Sequence, residues 1–259
     1  MSVAAANSGR KAQVASSFGA VSEGYATAAG MQRLIAGRLA GRISDGDLPD
    51  SPRVLEVGCG TGFLTEALRL AIGGAWVVSD IAAPMVESCR SHLGDPGGAQ
   101  FLVMDAERPA VAGGFDLVCS NLVFQWLDNL QGCIRQLTEL LAPGGRLAFS
   151  TLAAGSLDEW RQAHLALELP PPTPEYPNAE ALASMLGGAL LEEEEFVQNY
   201  QSAHAFATAL KAIGAQTPAP GRQPLPGGAL RRVLRSLDGR EGVSITYRVA
   251  YGVYTKGAE

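Results

Sequence analysis

Residues Val54 to Phe63, reading VLEVGCGTGF, constrain this chain more than any other stretch. The apolar side chains Val54, Leu55 and Val57 follow Pro52 and lead into a glycine turn, as in a strand buried on both faces. Gly58, Gly60 and Gly62 remove side chains where a ligand would meet backbone, and they admit positive φ. The pattern predicts a helix from Phe63 to about Ala71, whose first N–H groups lack partners within the helix. Such a loop has more than one reading. The dinucleotide fingerprint is G-x-G-x-x-G, whereas this loop is G-x-G-x-G with an acid, Glu56, inside the preceding strand. A tight structural turn with no ligand is the bland alternative.

The next segments favour a ligand. Trp76 to Asp80 is a second apolar strand ending in an acid, and a carboxylate placed there can accept both ribose hydroxyls of an adenosine. Phe101 to Asp105 repeats the arrangement, with Ala106 and Glu107 behind it; an acid there suits the adenine amino group, a donor. Phe115 to Asn121 is a fourth strand, and Gly145 to Thr151 a fifth after a turn at Pro143-Gly144. Helical patterns at Pro84–Leu93 and Asp128–Leu141 separate them. A single strand-end acid is commonly a solvated loop residue. Three in register behind one glycine turn point to a nucleotide-type site in an α/β fold.

A chain of 259 residues holds one large α/β domain with a modest cap. No apolar run approaches the roughly 18 residues that span a bilayer, so no membrane partner is expected. Met1 to Gly9 lacks the basic-then-apolar layout of a secretory signal. Cys59, Cys89, Cys119 and Cys133 show no close metal-ligand pairing and suit a reducing cytoplasm. His92, His164 and His204 form no cluster, and no metal site is expected. Residues 43–210 carry seven basic and 22 acidic side chains, whereas 211–259 carry eight basic and three acidic. The net charge of −6 argues against a broad nucleic-acid surface. Arg222, Arg231, Arg232, Arg235 and Arg240 could still face an acidic partner, or be an ordinary solvated helix face.

Four parts follow from the pattern: a helical arm over 1–44, a nucleotide-type core over 45–151, a cap and sheet-edge region over 152–240, and a final strand over 241–259. Gly24 and Gly30 read as breaks in the arm. Gly155-Ser156 reads as the cap of a helix over Leu157–Leu167, before the proline-rich 170–177. Further helices are expected at Ala179–Leu186, Ala203–Ile213 and Leu230–Leu237, with a Pro/Gly-rich loop at Pro218–Gly228. The acidic run Glu192–Glu195 reads as a solvated edge or turn before a strand at Phe196–Tyr200. Val243 to Tyr254 alternates as the last strand, returning antiparallel to the sheet.

The glycine loop with its internal acid resembles the S-adenosylmethionine loop of class I methyltransferases. The resemblance narrows further, to the malonyl-acyl-carrier-protein O-methyltransferases of biotin synthesis, the BioC family. It is carried by Phe18-Gly19, Tyr25 and Gln32-Arg33 in the arm, Ser120-Asn121-Leu122 with Gln125-Trp126, Phe149–Leu152 with Gly155-Ser156-Leu157, Leu210–Ala215, Thr246-Tyr247 and Tyr251-Gly252-Val253. It covers nearly the whole chain, and the segments 170–177 and 221–228 depart from it. The resemblance implies a Rossmann-like fold with a mostly parallel seven-stranded sheet, an antiparallel last strand, a helical arm and a small helical cap. It implies methyl transfer from S-adenosylmethionine to the free carboxylate of malonyl-acyl-carrier protein, or of malonyl-CoA.

Under that resemblance Glu56, Gly58, Cys59, Gly60 and Gly62 hold the methionine part of the donor, and Asp80 the ribose. Ile81 and Met85 flank the adenine, though both also fit plain core. Asp105, Ala106 and Glu107 approach the adenine amino edge. Asn121 lies beside the sulfonium and Tyr25 folds over the donor, and these two are the candidate catalytic residues. Gln32, Gln125, Trp126 and Arg161 join Tyr25 on the acceptor side; Trp126 fits helix packing equally well, and Arg161 an exposed helix face.

Overall fold

The computed structural model describes residues 23–94, 97–187, 189–212 and 225–258, with side chains from residue 29 onward except at 212. In chain order the elements are α1 (Glu23–Ser44), β1 (Arg53–Val57), α2 (Phe63–Arg69), β2 (Ala75–Asp80), α3 (Ala83–Leu93), β3 (Ala99–Val103), β4 (Phe115–Asn121), a 3-10 turn (Phe124–Trp126), α4 (Leu130–Glu139), β5 (Leu141–Leu152), α5 (Asp158–Leu165), α6 (Ala179–Met185), β6 (Leu190–Tyr200), α7 (Ala203–Ala212), α8 (Gly227–Leu237) and β7 (Val243–Thr255). The seven strands order as β3-β2-β1-β4-β5-β7-β6. The first five pair in parallel. β7 runs antiparallel to β5, since Lys256 N–H donates to Gly145 O while Ala153 N–H donates to Arg248 O. This is the Rossmann-like arrangement, with its order reversing between β1 and β4, where such sheets open a crevice at their carboxyl ends. Among the described residues no helix is long and apolar enough to cross a membrane.

The chain divides into two compact units. Among the described residues, the sheet unit lies within Met31–Leu152, Asn178–Glu193 and Ala250–Glu259, and the second unit within 23–30, Ala153–Pro177 and Glu194–Val249. In the sheet unit, Leu55, Val57, Val118, Phe124, Ile134, Leu137 and Phe149 form one continuous core, with Phe124 and Phe149 stacked at 4.6 Å. Their strands are apolar at successive positions because parallel strands bury both faces. In the second unit Trp160 packs edge-on against His164 and Phe206. Tyr200 and Tyr247, both buried, share a hydrogen bond of 2.8 Å.

Several boundaries differ from the sequence expectation, each for a local reason. α1 runs unbroken through Gly24 and Gly30. A helical glycine costs about 1 kcal/mol, whereas burying an Ile or Leu side chain returns about 1.5–3 kcal/mol, and Ile35, Leu39 and Ile43 are fully buried. The Pro143-Gly144 segment lies inside β5 as a bulge: Phe115 pairs with Leu141 and Leu117 with Arg146. α4 starts at Leu130 because the Asn129 side chain caps it, accepting from Gly132 N–H at 2.9 Å. Ser156 does not cap α5. Its hydroxyl donates to Arg248 O at 2.8 Å and accepts Arg248 N–H at 3.0 Å, tying β7 instead. The acidic run Glu192–Glu195 is part of β6, the edge strand, where exposed charge discourages pairing with another chain. α8 begins at Gly227, inside the expected loop.

Candidate active site

The glycine loop is shaped by what lies around each residue. Gly58 has φ +72, and a Cβ there would stand 2.2 Å from a Val123 methyl, so no larger residue fits. Gly60 also has positive φ, +52, yet its missing Cβ would face open space with nothing within 4 Å. The backbone at Gly60 is therefore bare on the side where a ligand would lie. Asp80, at the end of β2, fixes this loop: one carboxylate oxygen accepts Gly60 N–H at 3.0 Å, the other Ala82 N–H at 2.8 Å. Burial pushes the Asp80 carboxyl up in pKa, while these N–H groups pull it down. A carboxylate offers roughly four acceptor sites, so both oxygens keep capacity for a diol.

Glu56 sits beneath the loop, 1% exposed, and accepts the Thr65 hydroxyl at 2.6 Å. Burial is the main cause that raises its pKa to about 8; the Thr65 hydrogen bond opposes this. Near neutral pH its carboxyl is therefore largely protonated, a polar group held in reserve under the turn. The Cys59 thiol is pushed up by its hydrogen bond to Cys89 and by burial, and Cys89 is lowered by the same contact. Cys59 therefore packs the loop onto α3 as a neutral thiol.

Neighbouring strand ends supply a second group. Asn121 ends β4 in register with Ser150 of β5. The Ser150 hydroxyl donates to Asn121 Oδ1 at 2.7 Å, and Asn121 Nδ2 reaches Gln32 O at 3.4 Å. The next residue, Leu122, is held at φ +55, with its N–H on Ser150 O at 3.0 Å. A left-handed leucine stores roughly 1–3 kcal/mol of strain, which surrounding contacts must offset. Gln125 donates to Leu122 O at 2.7 Å and accepts from Thr151 Oγ1 at 3.1 Å, so both ends of its amide are engaged. Trp126 is half-buried in the 3-10 turn.

On the β3 side, Ala106 and Met85 are buried and Ile81 is half-buried. Asp105 accepts Glu107 N–H at 3.0 Å. The Glu107 carboxylate is turned to the start of α4, where it accepts Asn129 N–H at 2.6 Å. The structure thus brings Glu56, the glycine loop, Asp80, Asn121, Gln32 and Gln125 into one unit. Tyr25 lies in the first turns of α1 and belongs to the second unit; its side chain is outside the described residues. Arg161 also belongs to the second unit, on α5, 3.4 Å from Glu175. Phe18, Gly19 and Arg222 lie outside the described residues. Thr65 was not singled out from sequence, and Ser150 and Thr151 entered only as part of the Phe149–Leu152 match, with no role assigned. Ser150 and Thr151 carried a signal nonetheless: two hydroxyls closing the apolar strand LAF, level with the end of β4.

The profile described as "Methyltransferase domain" matches residues 55–149. A malonyl-acyl-carrier-protein O-methyltransferase of Magnetococcus marinus is 40% identical over 95% of this chain and 93% of its own length. The chain belongs to the malonyl-acyl-carrier-protein O-methyltransferase family. A biotin biosynthesis bifunctional protein, BioCD, of Bordetella avium is 46% identical over 94% of this chain. The chain spans about half, 52%, of that relative's length. Among solved structures, the YcgJ protein of Bacillus subtilis superposes with a TM-score of 0.61 at 14% identity, over 85% of this chain and 98% of that one, a likeness of fold. The profile runs from within β1 to most of β5, the segment that builds every strand-end group described above except Ser150 and Thr151, which follow it directly, and Gln32 of α1.

Proposed function

We propose that this family member binds S-adenosylmethionine at the carboxyl ends of β1, β2 and β4 and methylates the free carboxylate of malonyl-acyl-carrier protein. The observation that carries the reading is the pairing of Asp80 with Gly60: a carboxylate with spare acceptor sites holds a bare, positive-φ backbone facing open space. When bound, the donor supplies a methyl group on a sulfonium, a leaving group already activated. Asp80 would accept the ribose hydroxyls, and the amides of residues 58–62 would lie along the methionine chain. Glu56, protonated while the site lacks a cation, would ionise beside the donor's ammonium. Ile81 and Met85 would flank the base, with Asp105 and Ala106 at its amino edge. Glu107 supports this edge through α4, because its carboxylate already serves Asn129.

The acceptor asks little acid–base chemistry of the protein. A carboxyl with a pKa near ~4 is ionised at neutral pH, so no general base is required. What remains is alignment, worth up to about 7–11 kcal/mol for two held reactants, and exclusion of water. Asn121 has its amide orientation set at both ends, Oδ1 accepting from Ser150 and Nδ2 donating to Gln32 O at 3.4 Å, and would stand beside the reacting region. Gln125 and Trp126 would shape the acceptor wall and Gln32 would contribute backbone, while Tyr25 and Arg161 are candidate acceptor contacts on the strength of the family resemblance. The exposed Arg161–Glu175 pair is worth about 0–1 kcal/mol, so an incoming carboxylate can compete for the guanidinium. The methyl ester hides a charge and lets the thioester be extended like an apolar acyl group; the relatives' names connect this with biotin synthesis, and malonyl-CoA is the second acceptor. All four cysteines are free and buried, which supports a reducing cytoplasm.

Incubation with labelled donor and, in parallel, malonyl-carrier protein, malonyl-CoA and free small diacids tests this reading. Label in the malonyl thioesters is expected. Transfer only to free diacids would replace the acceptor, and no donor binding at millimolar concentration would end the reading.

A further inference from the structure

Helix α8 has two unlike faces. Val233 is fully buried and Leu230, Leu234 and Leu237 are half-buried, at the spacing of one helical stripe. With this stripe α8 packs on α5 and α7. Arg231, Arg232 and Arg235 occupy the opposite face, all exposed, and Arg240 follows in the turn after the helix, also exposed. None of the four makes an ion pair or side-chain hydrogen bond among the described residues. Other arginines behave differently: Arg33, Arg42, Arg90, Arg135, Arg161 and Arg248 each reach a carboxylate.

Stability does not account for this face. Arg235 in the last turn suits the helix dipole, but Arg231 and Arg232 lie nearer the positive end. Arg231 and Arg235 are a like-charged i,i+4 pair, and the helix GGALRRVLRSL contains no acid to relieve the repulsion. The charge is also local. Residues 43–210 carry 22 acidic against seven basic side chains, so an acidic partner is repelled by most of this surface and drawn to the α8 region.

We infer that the Arg231–Arg232–Arg235 face of α8 docks the acyl carrier protein through an acidic surface of that carrier. The inference rests on the acceptor proposed above and adds where its protein part is held. Rim charges of this kind act on encounter rate and salt dependence more than on chemistry.

The test compares wild type with the triple variants R231E/R232E/R235E and R231Q/R232Q/R235Q. Two acceptors are used: malonyl-carrier protein, and malonyl-pantetheine, which lacks the protein. For the carrier substrate the Glu variant should raise KM about tenfold or more with kcat nearly unchanged, and the Gln variant less; added salt should weaken wild type but not the Glu variant. Malonyl-pantetheine turnover and donor affinity should stay at wild-type values in both, which also shows that the variants fold. An unchanged KM for the carrier substrate, or equal losses on both acceptors, overturns the docking face while leaving the acceptor assignment standing. Wild type that methylates neither acceptor overturns the assignment, and the docking face with it.

Discussion

The strand ends of the sheet unit and the interior of the second unit both bury polar side chains, but they satisfy them to different degrees. In the second unit three sets of partners close on each other, Tyr200 with Tyr247, Ser156 with both backbone groups of Arg248, and Glu159 with the Thr246 hydroxyl and N–H, while the buried His164 Nε2 is left without a partner among the described residues. Nothing in these pairs asks for a ligand. At the strand ends, Asp80 keeps acceptor capacity beyond its backbone N–H partners, Glu56 carries a raised pKa, and Gly60 opens on empty space. Closed pairs stabilise; half-used ones keep binding capacity at some cost in stability. That difference separates packing from site more clearly than burial does, since both regions are buried.

Substitutions can break this contrast, beginning with the largest effect. Trp160→Ala should destabilise by about 3–5 kcal/mol by emptying the second unit's aromatic cluster, read by chemical denaturation, with donor affinity retained under folding conditions. Glu56 gives a pH signature. Its folded pKa, about 8, lies above the unfolded carboxyl value of 4.5, so its neutral form favours the fold. Stability from this group is full below pH 4.5 and falls as pH rises to about 8, on the order of a few kcal/mol. In Glu56→Gln the thermal midpoint should lose that slope; an identical slope in wild type and variant would show that Glu56 is not its source.

Asp80→Ala should weaken donor binding by about 1.5–3 kcal/mol, roughly ten- to 150-fold, since it removes ribose acceptors and frees the Gly60 amide. Calorimetry reads this directly, and wild-type affinity would move the site elsewhere. The smallest effects are a matched pair. Ser150→Ala should lower kcat about five- to tenfold with little change in donor affinity, because Asn121 loses its orienting donor. Tyr247→Phe should cost about 0.5–1.5 kcal/mol of stability and leave kcat alone. If the two exchanged their effects, the division between site and packing would be wrong.

Much of the candidate site was legible because its residues are local in sequence. The loop from Glu56 to Gly62 is one contiguous run, and Asp80, Asp105 and Asn121 each close a short apolar run, so an unbroken apolar stretch with a terminal polar residue locates them. The partner of each was not legible. That Thr65 would donate to Glu56, that Glu107 would turn to Asn129, and that Ser156 would hold β7 rather than cap α5 all depend on groups brought together across the fold.

The amino-acid sequence by itself determined the strand–glycine turn–helix order, the parallel sheet and which polar groups end its strands, because periodicity and backbone permissiveness act within a few residues. Only the tertiary structure decided which polar groups are spent on one another and which stay available. A hydrogen bond across the fold depends on distance and desolvation between segments far apart in the chain, and no local pattern encodes either.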